Sequence, residues 1–179
     1  FFDEQLEGVC LIEREPFIDN RGAFSRHFCM REYSEHGIMP DVRQANLSEN
    51  RYAYTLRGFH YQIAPYGEAK TLSCVRGRVY DVVVDLRKGS KTFGKYCYNI
   101  LSDKNSTSLL IPSGFAHGFC ALENENLVLY GLTNYRSKKN EIGILWNDNV
   151  LKIKWPIKKP TISKKDKSNI TFKKFSNLY

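Results

Sequence analysis

The run Arg78-Val79-Tyr80-Asp81-Val82-Val83-Val84-Asp85-Leu86-Arg87 decides the fold. Tyr80, Val82, Val84 and Leu86 share one side of a two-residue period, while Asp81, Asp85 and Arg87 take the other, which predicts a half-buried strand. On either side of it, similar β-rich runs occur at 9–14, 22–28, 55–62, 70–75, 96–101, 108–111, 118–122 and 127–133. They are separated by turn-forming clusters such as Asp19-Asn20, Pro65-Tyr66-Gly67, Lys88-Gly89-Ser90 and Asp103-Lys104-Asn105. So many short strands at this spacing predict an all-β jelly-roll barrel. Helix is confined to two short pieces: 30–36 stopped by Gly37, and one turn at 163–166.

The 179 residues fit one domain, 1–179, with 155–179 expected to wrap its outside. The 42% apolar and 26% charged content is that of a packed globular chain. The net charge of +8 is carried by the tail, where nine lysines face Asp166 alone. Pro156 and Pro160 interrupt that stretch and it has little helical period, so nucleic acid is not an expected partner. No apolar run is long enough to cross a bilayer, and the first ten residues carry Asp3, Glu4 and Glu7 rather than a basic leader. A cytoplasmic protein without membrane association is expected. Five scattered cysteines with no CxxC pair read as reduced, mostly buried thiols.

Two of the four histidines sit in strands beside glycines, in Leu56-Arg57-Gly58-Phe59-His60-Tyr61-Gln62 and Ile111-Pro112-Ser113-Gly114-Phe115-Ala116-His117-Gly118-Phe119. The second segment resembles the second cupin motif. A metal-binding cupin adds a His-x-His pair and a glutamate, so that several ligands converge on one ion. Here the matching positions read His60-Tyr61-Gln62, and the nearby carboxylate Glu68 precedes Lys70, whose charge opposes a divalent cation. No metal and no cofactor are therefore expected. A metal-dependent cupin is the runner-up.

Over nearly its whole length the chain resembles the dTDP-4-dehydrorhamnose 3,5-epimerase family of cupins. The resemblance runs through Phe17-x-Asp19-x-Arg21-Gly22-x-Phe24, Gln44-x-Asn46-x-Ser48, the His60 and His117 segments, Lys70, Gly77-x-Val79-x-Asp81, Thr92-Phe93-Gly94, Tyr130, Trp146-Asn147-Asp148, Trp155-Pro156 and Ser163-x-Lys165-Asp166. It implies a homodimer that inverts C3, C5 or both of a nucleotide-diphosphate-linked 4-keto sugar, in deoxysugar supply for surface polysaccharide. It further implies His60 as base with Asp166 behind it, Tyr130 as acid on the opposite face, and Lys70 beside the carbonyl oxygen. Arg21, Phe24, Arg26, Gln44, Asn46, Arg57, His117, Arg136 and Lys165 are the implied substrate contacts.

The chemistry suits these residue types. Inverting a carbon next to a ketone needs a base on one face, an acid on the other and a charge for the enolate oxygen. Imidazole takes and returns protons near neutral pH. Taken singly, each residue reads as structural: Tyr130 as core, Lys70 and Arg57 as solvated strand positions, Asp166 as charge balance in a lysine-rich tail. Their joint order promotes them.

Two departures from the family pattern, at Arg26 and at Tyr135-Arg136, lie on the nucleotide side, and a third lies just upstream of Lys70. Arg26 stands where the family has a glutamate, Tyr135-Arg136 replaces paired tyrosines, and Glu68 replaces a glutamine. Arginine pairs naturally with guanine acceptors. A GDP- or CDP-linked sugar or heptose, epimerised at one carbon, and a 3,4-ketoisomerase are thus the alternatives within this fold; a silent sugar-nucleotide binder is the alternative outside catalysis.

Overall fold

The computed structural model describes residues 1–38 and 41–179, and its backbone is mostly antiparallel strand. In chain order the elements are β1 (Phe2–Asp3), β2 (Cys10–Glu13), β3 (Phe17–Asp19), β4 (Gly22–Phe24), α1 (Met30–Glu35), β5 (Gln44–Asn50), β6 (Thr55–Gln62), β7 (Lys70–Arg76), β8 (Arg78–Asp85) and β9 (Tyr96–Ser102). There follow β10 (Thr107–Ile111), β11 (Phe115–Ala121), β12 (Asn126–Leu132), β13 (Glu141–Gly143), β14 (Thr161–Ile162), α2 (Lys164–Lys167) and α3 (Phe172–Leu178). One sheet runs β1-β2-β10-β7-β12-β5 and the other β13-β6-β11-β8-β9, with β14 parallel to β6 and β3-β4 a separate hairpin. Leu72, Leu109 and Val128 from the first sheet meet Val79, Val83 and Phe119 from the second in one buried cluster. This is the expected all-β cupin jelly-roll barrel.

The half-buried reading of β8 is corrected. Asp81 and Asp85 are as buried as Val82 and Val84, because both faces of this strand are covered. Val79, Asp81 and Val83 point into the barrel, while Tyr80, Val82 and Val84 lie under the C-terminal segment. There Leu151, Ile153, Trp155 and Ile157 turn inward alternately, with Lys152, Lys154 and Lys158 outward. Phe172 and Phe175 of α3 complete the cover, and truncating a fully buried phenylalanine such as Phe175 costs about 3–5 kcal/mol. Among the described residues, no helix is long and apolar enough to cross a membrane.

Two further differences concern β4 and β5. The strand expected over 22–28 stops at Phe24. Conversely, Gln44-Ala45-Asn46-Leu47-Ser48-Glu49-Asn50 contains no β-branched or aromatic residue to announce a strand. It becomes β5 through pairing with β12 along its whole length, from Gln44 opposite Leu132 to Asn50 opposite Asn126.

Asp85 closes β8 as a buried anion. Its oxygens accept from Arg87 Nε and Nη2 at 3.0 and 2.9 Å, and from the hydroxyls of Ser90 and Thr92 at 2.6 Å each. Burial alone would raise its pKa; the Arg87, Ser90 and Thr92 donors outweigh that and hold it at about 2. A carboxyl lowered in this way stabilises the fold fully above its unfolded value of about 4 and loses that contribution as pH falls through about 2. Asp85→Asn is therefore expected to cost on the order of 2 kcal/mol at pH 7. The gap in melting temperature from the parent should shrink below about pH 4; a gap unchanged from pH 7 to pH 2.5 would refute the assignment.

Candidate active site

A cavity of about 400 Å³ opens between the two sheets. His60 enters it from β6 and Tyr130 from β12, so imidazole and phenol come from opposite walls. Backbone approach between neighbouring strands sets the histidine side. His60 lies opposite His117 across β6 and β11, with a register irregularity just beyond. Gly58 has φ of +118°, and a Cβ there would lie 2.6 Å from the Gly118 Cα and 2.8 Å from the His117 carbonyl oxygen. Glycine is required for that contact.

His60 Nε2 bonds Asp166 Oδ1 at 2.8 Å, which leaves Nδ1 as its other ring nitrogen. Asp166 is buried on α2, and its Oδ2 accepts from the Gly58 N–H at 3.3 Å. The turn is fixed by Ser163, whose hydroxyl caps the helix by accepting from the Asp166 N–H. Burial pushes the Asp166 carboxyl up, but bonding and attraction to His60, with the Gly58 and Ser163 contacts, bring it below the usual carboxylate range. It stands ionised behind the imidazole.

His117 is anchored similarly, its Nε2 lying 2.7 Å from Oδ2 of the buried Asp81. Lys70, also largely buried, pairs with Glu68 at 3.2 Å. Burial pushes the Tyr130 phenol above its ordinary value, against the pull of the Arg57 and Arg136 charges. It is thus protonated throughout the neutral range.

The structure gathers His60, Lys70, Tyr130, Gln44, Asn46, Arg57, His117 and Arg136 around one cavity. Asp166 stands directly behind it, and Lys165 joins its rim by pairing with Glu141. Arg21, Phe24 and Arg26 lie elsewhere. Arg21 grips Asp19 at the β3–β4 turn, and Arg26 pairs with Glu32 at 2.5 Å beside a second cavity that Phe24 also lines. Among the described residues, no group of three or more His, Cys, Asp or Glu side chains is gathered to hold an ion.

Sequence reasoning passes over Glu141, which follows Lys138-Lys139-Asn140 and looks there like a surface counterion. In the fold its carboxylate lines the cavity, accepts from Arg136 Nε at 2.7 Å and pairs with Lys165. Burial alone would raise it, and Arg136, Lys165 and the His60 charge hold it at about 2. The five-residue spacing of Arg136 and Glu141 across a turn was the available signal.

Comparison with known proteins agrees with this geometry. The family model described as dTDP-4-dehydrorhamnose 3,5-epimerase matches residues 3–174. A dTDP-4-dehydrorhamnose 3,5-epimerase of Shigella flexneri is 42% identical over 163 residues, covering 90% of each chain. The crystal structure of the Bacillus anthracis enzyme with TDP and PPi bound superimposes with a TM-score of 0.93 at 37% identity, over 95% of this chain and 97% of that one. The Legionella pneumophila enzyme in complex with dTDP-4-keto-L-rhamnose does so at 0.90 and 35%, over 95% and 90%. With the match running almost end to end, this chain belongs to the dTDP-4-dehydrorhamnose 3,5-epimerase family.

Proposed function

We propose that this chain is an isomerase that inverts C3 and C5 of a dTDP-linked 4-keto-6-deoxy sugar. The observation carrying the reading is a carboxylate-backed imidazole and a protonated phenol on facing sheets of one cavity. His60 takes the proton beside the ketone, and Asp166 stabilises the resulting imidazolium. Lys70 faces the developing enolate oxygen, a role worth about 3 kcal/mol of barrier on the scale of one oxyanion donor. Tyr130 protonates the opposite face, after which both groups reset through solvent. Among the described residues, Arg57 is the cavity-lining arginine or lysine that pairs with no carboxylate, leaving its charge for the diphosphate.

The thymidine carrier is supported by the relatives' names. The arginine-based case for GDP or CDP loses footing because the Arg26 guanidinium is paired with Glu32 and Arg136 spends Nε and Nη2 on Glu141. Incubation in heavy water with a panel of dTDP-, GDP- and CDP-linked 4-keto sugars should give deuterium at C3 and C5 of the dTDP sugar. Exchange of a GDP or CDP sugar at a higher kcat/KM would overturn the carrier, and no exchange of any would overturn the enzyme.

The proposal includes a homodimer. The β3–β4 hairpin exposes Phe17, Ile18 and Phe24 at 79, 78 and 72%, an apolar surface that suits burial against a second copy. Arg21, Phe24 and Arg26 would then serve the partner's cavity rather than their own. Light scattering should give twice the chain mass; a monomer with undiminished activity would refute this part.

A further inference from the structure

We infer that Asn50 and Asn126 are positioning residues that aim the Arg57 guanidinium without neutralising it. Both asparagines are buried, and they face each other across β5 and β12. The Arg78 carbonyl accepts from Asn126 Nδ2 at 3.1 Å, Asn126 Oδ1 accepts from Asn50 Nδ2 at 3.4 Å, and Asn50 Oδ1 accepts from Arg57 Nε at 2.7 Å. The direction of this relay is forced at both ends. A backbone carbonyl can only accept and a guanidinium can only donate, so each amide has one orientation that satisfies both neighbours. Asn50 Nδ2 also donates to the Ser48 carbonyl at 3.4 Å, consistent with that orientation. The relay spans the barrel, from β8 through β12 and β5 to β6.

A second anchor completes the grip, as Arg57 Nη2 donates to the Glu49 carbonyl at 3.1 Å. Two of five donors are thus held by neutral oxygens and three are left. A carboxylate at position 50 would orient the fork equally well but cancel its charge. Asparagine orients it and leaves the charge for an anion, which is the physical reason for an amide there.

The inference rests on the reading of Arg57 as the diphosphate grip, and calorimetry with dTDP separates the two. Arg57→Ala should weaken dTDP binding about tenfold or more, and Asn50→Ala about tenfold, the scale of one hydrogen bond to a charged group. KM should rise in Asn50→Ala while kcat stays within about twofold. Adding Asn50→Ala to Arg57→Ala should cost nothing further, because the relay acts through Arg57. If Arg57→Ala binds dTDP like the parent, the diphosphate reading falls and the relay with it. If Arg57→Ala weakens binding but Asn50→Ala does not, or its penalty persists in full without Arg57, the relay alone is wrong.

The nearly isosteric Asn50→Asp guards against misfolding of the alanine variant, with a thermal melt as control. It should bind dTDP at least tenfold more weakly than the parent at pH 8, because a carboxylate bonded to Arg57 cancels the charge that the diphosphate meets. Parent-like affinity of Asn50→Asp at pH 8 would overturn the proposal.

Discussion

His60→Asn is expected to abolish deuterium incorporation at both C3 and C5, lowering kcat by about 10³-fold or more, while dTDP binds within a few-fold of the parent. A positioned general base contributes roughly 10²–10⁴-fold. Here the imidazole is fixed by a 2.8 Å bond to an ionised, buried Asp166. Loss of the base therefore also wastes the carboxylate that would have stabilised the imidazolium. Asparagine is chosen over alanine because its amide can still donate to Asp166, so the result is not confounded by an orphaned buried charge. Single-turnover exchange in heavy water reads the effect directly. Exchange within about tenfold of the parent would place the base elsewhere and remove the foundation of the mechanism.

The barrel was legible wherever packing left its two-residue period in the chain. β6, β7, β9 and β12 fall almost where their alternating residues place them. β5 was not, because its neighbours rather than its side chains make it a strand. The burial of Asp81 and Asp85 was hidden for a related reason: alternation of charge with valine reads as a solvent face until His117 on the neighbouring strand is seen bonded to Asp81 and Arg87 is seen folded back onto Asp85. α3 carried a weak signal in the Thr171 cap and the Phe172–Phe175 spacing, but it lies in a segment whose lysines dominate the reading.

The site divides along the same line. His60, Lys70 and Tyr130 could be named from ordered motifs, since each sits in a strand that also holds the barrel together. Asp166 was implied only by the family resemblance through Ser163-x-Lys165-Asp166, and the fold shows it reaching over a hundred positions back to His60. Glu141 offered only its spacing from Arg136 as a local signal, because its other partner, Lys165, comes from α2. Arg21, Phe24 and Arg26 mark the opposite case, residues marked by motif that a single copy leaves outside its cavity.

Tyr130→Phe is expected to separate exchange from inversion. The base and its carboxylate are on the wall formed by β6 and α2, and this substitution leaves them untouched. Proton removal at His60 and its return to the same face should therefore continue, so deuterium still enters the sugar at a rate within about tenfold of the parent. The phenol enters from β12 on the facing sheet, and phenylalanine keeps its packing against the interior cluster while deleting the proton. Inversion should fall by about 10²-fold or more, the contribution of one positioned acid. Stability should change little, because the Tyr130 hydroxyl makes no hydrogen bond among the described residues and its ring remains. A variant that loses exchange and inversion equally would mean that Tyr130 assists the first proton transfer. A variant that inverts at the parent rate would mean that solvent or another group supplies the second proton. Either result would break the two-walled scheme while leaving the family and the fold intact, since those rest on the barrel and not on the phenol.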